Sequence, residues 1–381
     1  MYIDLDIIRC AMKASKLFSP VDLNRRSLSN RIAMAPMTRE KAVAGLPCVA
    51  ALPYYARRAA GGVGLIITEG VAVDVPGSFG STVPRLHGEG VVPAWRPIVD
   101  AVHEHGTAIL AQLWHVGAFC PSLIGMTASL PEQVERVSPS GLAAPEMPFG
   151  REMTMADIDA AIAAFVSAAQ TADAAGFDGV EIHAAHGYLV DQFFWEGTNR
   201  RSDRYGGSPE ARLTFAIELI RAIRAATPPD FIISLRISQW KQLEYGARMV
   251  TSPAMLARMI EPLALAGTDV FHCSTRRFWE PEFEGDRRSL SGWVRALSGK
   301  PTIAVGSVTL DTDFKEPDGK VRANLSLDHI ALLEQGLEAG DWDLVAIGRG
   351  LIANPDWVDL VRAGRAEELR KFSKDMLDEL V

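Results

Sequence analysis

Asp343–Gly350, DLVAIGRG, is the stretch on which the fold turns. An acid, four apolar residues and then two glycines around an arginine read as a short buried strand running into a tight turn. Seven more runs of this kind precede it: Arg31–Pro36 (RIAMAP), Gly64–Thr68 (GLIIT), Ala108–Trp114 (AILAQLW), Gly179–His183 (GVEIH), Phe231–Ser238 (FIISLRIS), Asp269–Cys273 (DVFHC) and Pro301–Ser307 (PTIAVGS). Between them lie amphipathic stretches that predict helices over Pro53–Ala60, Pro93–His105, Thr154–Ala175, Ser252–Ala266, Asp286–Leu297 and Asp328–Ala339, with others opening at Ser208-Pro209, Pro355 and Ala366. Thr154 and Asp157 have capping-box spacing. Asp343–Ile347 is therefore the eighth strand, and eight β/α units imply a parallel sheet closed into a single (β/α)8 TIM barrel. No Gly-x-Gly-x-x-Gly turn follows the first strand, which counts against an open dinucleotide-binding sheet.

The bulk properties agree. The chain has 381 residues, 48% of them hydrophobic, with 39 basic and 47 acidic residues and a formal charge of −8. This is a globular composition, and disorder, collagen and coiled coil are excluded. The acidic balance speaks against a nucleic-acid partner, and no apolar run reaches the ~20 residues of a membrane helix. Two acids near the N-terminus, Asp4 and Asp6, stand where a secretory leader would carry positive charge, so a cytoplasmic protein is expected. Cys10, Cys48, Cys120 and Cys273 are too scattered for a metal or cluster site.

A barrel of ~250 residues leaves a surplus. The expected organisation is an extension over 1–16, the barrel over 17–365 and a C-terminal helix over 366–381. Long loops after strands three (His115–Arg151) and six (Ser274–Arg288, with Phe278, Trp279 and Phe283) are expected to cover the site, and 311–324 reads as a polar surface insert.

Chemistry in such barrels sits at the C-terminal ends of the strands. Those ends carry Pro36-Met37-Thr38, Gly70, Gln112 and Trp114, His183-x-x-His186-x-Tyr188, Arg236, Gly306-Ser307 and Gly348-Arg349-Gly350. On strand five, Ile233, Leu235 and Ile237 share the face toward the helices, and Ser234, Arg236 and Ser238 share the face toward the axis. An arginine in a barrel mouth needs an electron-rich partner. The glycine-rich turns after strands seven and eight are the usual phosphate site of barrels, with Arg349 as an added forked donor. His183 and His186 admit three readings: a metal pair lacking a third ligand at helical spacing, structural histidines, or two N–H donors that polarise a carbonyl with Tyr188 as proton donor.

Four stretches in order, Asn30–Arg39 (NRIAMAPMTR), Gly179–Gln192 (GVEIHAAHGYLVDQ), Asn199–Gly207 (NRRSDRYGG) and Ile347–Trp357 (IGRGLIANPDW), resemble the old yellow enzyme family of FMN-dependent ene-reductases from about Leu17 to about Arg362. The resemblance implies an FMN-binding barrel that reduces alkenes conjugated to a carbonyl or nitro group, with NADPH or NADH as electron donor in a ping-pong cycle. It implies that Pro36, Met37 and Thr38 line the flavin, that Gly70 and Gln112 meet its pyrimidine edge, and that Arg236 faces its N1/C2=O region. Gly306, Ser307, Gly348 and Arg349 would hold the phosphate. His183 and His186 would bind the substrate's activating oxygen, Tyr188 would protonate the α-carbon, and Trp114 would line the pocket. No metal is implied.

Some features depart from relatives. Threonine stands at position 38, where one branch has cysteine, and His186 stands where many relatives have asparagine. After Trp357 the only aromatic residue is Phe372, so no C-terminal aromatic lid is expected, and no cysteine cluster follows the barrel to hold an iron–sulfur centre. Three other readings remain: a Schiff-base aldolase using Lys241, a metal-dependent hydrolase using His183 and His186, and a flavin-storage module. The partner is a small electrophilic alkene, with neither nucleic acid nor membrane, and the oligomeric state is open, a homo-oligomer included.

Overall fold

A computed structural model describes residues 15–119, 134–311 and 325–381. Eight strands run in parallel and close in sequence order: β1 (Ile32–Met34), β2 (Leu65–Ala72), β3 (Ala108–Trp114), β4 (Gly179–His186), β5 (Ile232–Lys241), β6 (Val270–Ser274), β7 (Thr302–Val305) and β8 (Leu344–Ile347). Closure is made by β8 on β1, with Val345 opposite Ile32 and Ile347 opposite Met34. Each strand is followed by a helix: α1 (Ala51–Ala60), α2 (Val91–His103), α3 (Met155–Ala175), α4 (Thr214–Ala226), α5 (Pro253–Leu265), α6 (Leu290–Ser298), α7 (Asp328–Ala339) and α8 (Trp357–Arg362). The eight units counted in the sequence are all present.

Local signals explain most boundaries. Thr154 accepts from the Asp157 N–H and Asp157 accepts in return from the Thr154 N–H, a complete capping box that starts α3. Ser252 caps α5, and its proline sits in the first turn where a missing N–H costs nothing. Three expectations shift. Ser208-Pro209 opens only a 3-10 turn, Ala211–Leu213, ahead of α4. Asp286 pairs with Arg288 instead of starting α6, which begins at Leu290. Residues 366–381 are not one helix but two 3-10 turns, Ala366–Glu368 and Lys374–Leu377.

The barrel interior is layered. At the base, Leu65, Leu110, Ile232, Val270, Ile303 and Leu344 pack together, and Leu23 and Leu28 of the hairpin Val21–Leu23/Arg26–Leu28 plug them from below. Above lies a buried polar layer of Gln112, Glu181, Ser234 and His272. Two residues further up each strand come Trp114, His183, Arg236 and Ser274, as the two-residue side-chain period requires. The opposite parity of β5, Ile233, Leu235 and Ile237, belongs to the large apolar cluster under the helices. Burying that outer shell is the main driving force for closure, at ~25 cal/mol per Å² of apolar surface. Among the described residues no helix is long and apolar enough to cross a membrane. The insert at 311–324 lies, except for Asp311, outside the described residues, as do 1–14 and the middle of the loop after β3.

Candidate active site

Strand length decides what reaches the mouth of the barrel. β2, β4 and β5 each run beyond their sequence-based limits, with irregular register after Ile67 and after Ala184. The extra residues of β4 and β5 put side chains above the polar layers. There they surround a cavity of about 390 Å³ at the C-terminal end of the strands.

Glu181 anchors the layer below. Its Oε1 accepts from Gln112 Nε2 at 2.8 Å, and its Oε2 accepts from Ser234 Oγ at 3.0 Å and meets His272 Nδ1 at 2.8 Å. Burial pushes this carboxyl up, but His272, Arg236 and Gln112 outweigh it and hold it down near 2. One carboxylate thus ties four strands and supplies countercharge under the cavity floor.

Arg236 lies above it, 8% exposed, with Nη2 3.4 Å from Ser274 Oγ and a buried Nε that has no partner. Among the described residues no carboxylate forms an ion pair with it. A buried guanidinium with an unmet donor at the base of a cavity suits an electron-rich, flat acceptor.

His183 and His186 stand side by side on β4, ring centroids 5.1 Å apart. Burial, then the charge of Arg236, lowers both far below the usual histidine value, so both are neutral N–H donors at physiological pH. His186 is held at several points. Its φ is +66°, its N–H donates to Ser238 Oγ, its Nε2 lies 2.8 Å from Ser274 Oγ, and its ring stacks on Trp240 at 4.3 Å.

Tyr188 follows at the start of the short helix Leu189–Phe194. Phe119 and Trp114 pack against its ring at 4.9 and 5.0 Å, and His183 lies at 4.8 Å. Burial drives its hydroxyl pKa well above the ordinary value, with Arg236 opposing, so it is a protonated phenol across the working pH range.

The two glycine turns sit at the far side. Gly306 has φ +149°, and a Cβ there would stand 2.5 Å from the Thr275 carbonyl, so only glycine fits. Ser307, Gly348 and Arg349 line the same wall, with Pro36, Met37 and Thr38 beside them.

All but one of the expected site residues therefore border one cavity. The exception is Gly70: it stands behind the wall, and a Cβ there would lie 2.5 Å from Trp114 Cε3, so this glycine lets the indole lie flat. Lys241 does not enter the cavity either. It is buried, with Nζ 2.6 Å from Asp191 Oδ1, which corrects the Schiff-base reading. Among the described residues no group of three His, Cys, Asp or Glu side chains could hold a metal, which leaves His183 and His186 without a third ligand.

Several wall residues were not anticipated. Trp240 comes from the extension of β5 and Gln242 and Tyr245 from the turn that follows it, and Tyr245 lies parallel to Trp240 at 5.5 Å. Of the loop after β6, Thr275 and Arg276 line the cavity, while Phe278 packs on Trp342 and Phe283 on Trp293, away from it. The described part of the loop after β3 supports Tyr188 from behind through Phe119. Leu377 of the C-terminal turn lines the cavity, and Arg39 Nη2 holds that turn by the carbonyls of Met376 and Glu379.

Arg39 also leads to a buried acid. Glu69 accepts from the Arg39 N–H at 2.9 Å, and burial raises its pKa from 4.5 to about 7. The folded chain then binds more protons than the unfolded one between those values, so stability falls as pH rises through that window. Glu69→Gln should remove this dependence and gain about 3 kcal/mol at pH 8. Thermal melts of both proteins from pH 5 to 8 check it; parallel curves would refute it.

Residues 16–327 match the sequence model of the NADH:flavin oxidoreductase / NADH oxidase family. The chain belongs to this family, that of the old yellow enzymes. It is 34% identical over 366 residues to an NADH oxidase of Thermoanaerobacter brockii, covering 93% of this chain but only 52% of that protein, so it spans about half of that relative. It is 32% identical to 12-oxophytodienoate reductase 7 of Oryza sativa subsp. japonica, covering 94% of this chain and 91% of that one. The old yellow enzyme homologue of Zymomonas mobilis superposes with a TM-score of 0.76 at 27% identity, over 95% of this chain and 96% of that one. The old yellow enzyme assignment makes the chain an NAD(P)H-dependent flavin oxidoreductase, of a family whose enzymes act on small molecules.

Proposed function

We propose that the chain is an FMN-dependent ene-reductase, which reduces alkenes conjugated to a carbonyl or nitro group with electrons from NADPH or NADH. The observation that carries this reading is the meeting of two neutral histidine donors and a protonated tyrosine in one cavity with Arg236, whose buried Nε has no partner. The residues suit FMN. Arg236, with its unmet Nε, suits the electron-rich edge of the ring. Thr38 and Gln112 offer polar groups beside it, and Pro36 and Met37 offer an apolar face. The Gly306-Ser307 and Gly348-Arg349 turns offer backbone N–H groups and a guanidinium for the phosphate.

Bound there, the flavin supplies two-electron hydride chemistry between a reduced nicotinamide and an electron-poor alkene. The protein does the rest. His183 and His186 donate to the substrate's oxygen and draw charge toward it, an effect of ~3–6 kcal/mol if each donor is worth about 3. Tyr188 gives a proton to the α-carbon, and a phenol kept protonated suits that role. Trp114, backed by Phe79 at 4.5 Å, closes one side and limits water.

Purified protein should be yellow and should release FMN on denaturation. A colourless protein that cannot be reconstituted with FMN refutes the reading. A stopped-flow screen of reoxidation against enones, nitroalkenes, maleimides and nitrate esters then defines the substrate class, and failure with every one of them would leave only a flavin-storage role.

A further inference from the structure

We infer that Gln242 is a positioning residue for proton donation: it occupies a lone pair of the Tyr188 hydroxyl and thereby turns the hydroxyl's proton into the cavity. The inference rests on the reading of Tyr188 as the proton donor. Gln242 Nε2 donates to Tyr188 Oη at 3.1 Å, and both residues border the cavity.

The backbone sets this contact. The Gln242 N–H donates to the His186 carbonyl at 3.2 Å, so the residue is tied to the turn that carries Tyr188. The neighbouring Lys241 points the other way and pairs with Asp191 Oδ1 at 2.6 Å, while Asp191 Oδ2 accepts from the Gly187 N–H at 2.6 Å. The end of β5 and the His186-Gly187-Tyr188 turn are therefore joined on both sides of the chain, by backbone and by buried ion pair.

A phenol has one proton to give and lone pairs to receive with. Phe119, Trp114 and His183 fix the plane of the Tyr188 ring, but ring contacts do not orient its C–O–H torsion. Among the described residues, Gln242 is the side chain that hydrogen-bonds the hydroxyl. Because the amide donates, the hydroxyl's own proton is excluded from that direction and faces the open side. On transfer the O–H bond breaks, its electron pair stays on the oxygen, and a C–H bond forms at the substrate's α-carbon from the electron pair of the C=C π bond, which breaks as the β-carbon takes a hydride. Water returns a proton to the phenolate afterwards. Burial disfavours that phenolate. The Gln242 N–H, already aimed at the oxygen that gains charge, offsets part of the cost without rearrangement.

The test compares Q242E with Q242L, each alone and combined with Y188F, by the rate of reoxidation with an enone at about pH 8, well above a carboxyl's ~4.3. Glutamate has the shape of glutamine but, ionised, only accepts. It would take the Tyr188 proton and oppose the phenolate. Q242E should therefore be slower than Q242L by about tenfold, the size of one hydrogen bond turned from favourable to unfavourable. In the Y188F background the two should converge. A residue that merely fills space predicts the reverse order, since glutamate is the milder change in shape. A second readout needs no turnover. In protein labelled with 13Cζ-tyrosine, the resonance lost in Y188F belongs to Tyr188; in Q242E it should move with pH as the carboxyl titrates, and in Q242L it should not. Q242E as fast as Q242L, or a pH-independent resonance in Q242E, overturns the inference. Y188F alone reoxidising at the wild-type rate overturns instead the reading of Tyr188 as donor.

Discussion

Tyr188→Phe is expected to slow reoxidation of the reduced enzyme by an enone by about 10²–10⁴-fold, the usual worth of a positioned general acid. The substitution removes one oxygen and little else. Phe119, Trp114 and His183 contact the ring and not the hydroxyl, so a phenylalanine keeps the same seat. Loss of the Gln242 hydrogen bond costs about 1 kcal/mol, too little to unfold the turn. Reduction by the nicotinamide requires no proton from this position and should be much less affected. Stopped-flow traces of the two half-reactions separate the effects. Equal loss in both would mean that Tyr188 shapes the cavity and does not act as the proton donor.

The sequence held the barrel because its signal is repeated eight times. An error in one strand, such as ending β4 at His183 when it continues to His186, does not change the count. Site residues set by strand parity were equally legible: Arg236 points inward because Ser234 and Ser238 do, and the apolar residues between them point out. The same rule would have reached further. Carried past Ser238, the alternation places Trp240 and Gln242 on the cavity side and Lys241 on the outer side, as found. Ending the strand at Ser238 hid Trp240, together with Gln242 just past the strand's true end, and made Lys241 look like a candidate amine.

Other features had no local signal. Leu377 reaches the cavity because Arg39, far away in sequence, holds the carbonyls of the C-terminal turn. The aromatic residues of the loop after β6 could have packed over the site or beneath the helices. The choice was made by Trp342 and Trp293, which meet Phe278 and Phe283 in T-shaped contacts. Gly70, placed at the flavin's pyrimidine edge by the family resemblance, does not line the cavity, because the Trp114 indole packs across it. Arg39, Trp342 and Trp114 are distant in sequence from the residues they place, and a one-dimensional pattern does not contain such pairings.

His183→Ala tests the other half of the proposed chemistry, and its effect should be of similar size. Losing one of two donors to a developing oxyanion costs about 10²–10³-fold in rate, and the same loss should appear as weaker binding of a phenol, whose oxygen on a flat ring resembles that of a polarised enone. The substitution alone would not prove hydrogen bonding, because it also opens a gap beside Trp114, whose ring lies 6.2 Å from that of His183. His183→Asn separates the two. Burial and the charge of Arg236 keep His183 uncharged, so the imidazole acts as a neutral N–H donor and not as a cation. An asparagine, also neutral and a donor, should then recover most of the phenol affinity that alanine loses. The recovery should be the same from pH 6 to 9, because neither side chain titrates there. If asparagine fails where histidine succeeds, and the wild-type affinity falls as pH rises through 6.5, the histidine acts through its charge. Unchanged phenol affinity in His183→Ala would remove His183 from the substrate's oxygen altogether.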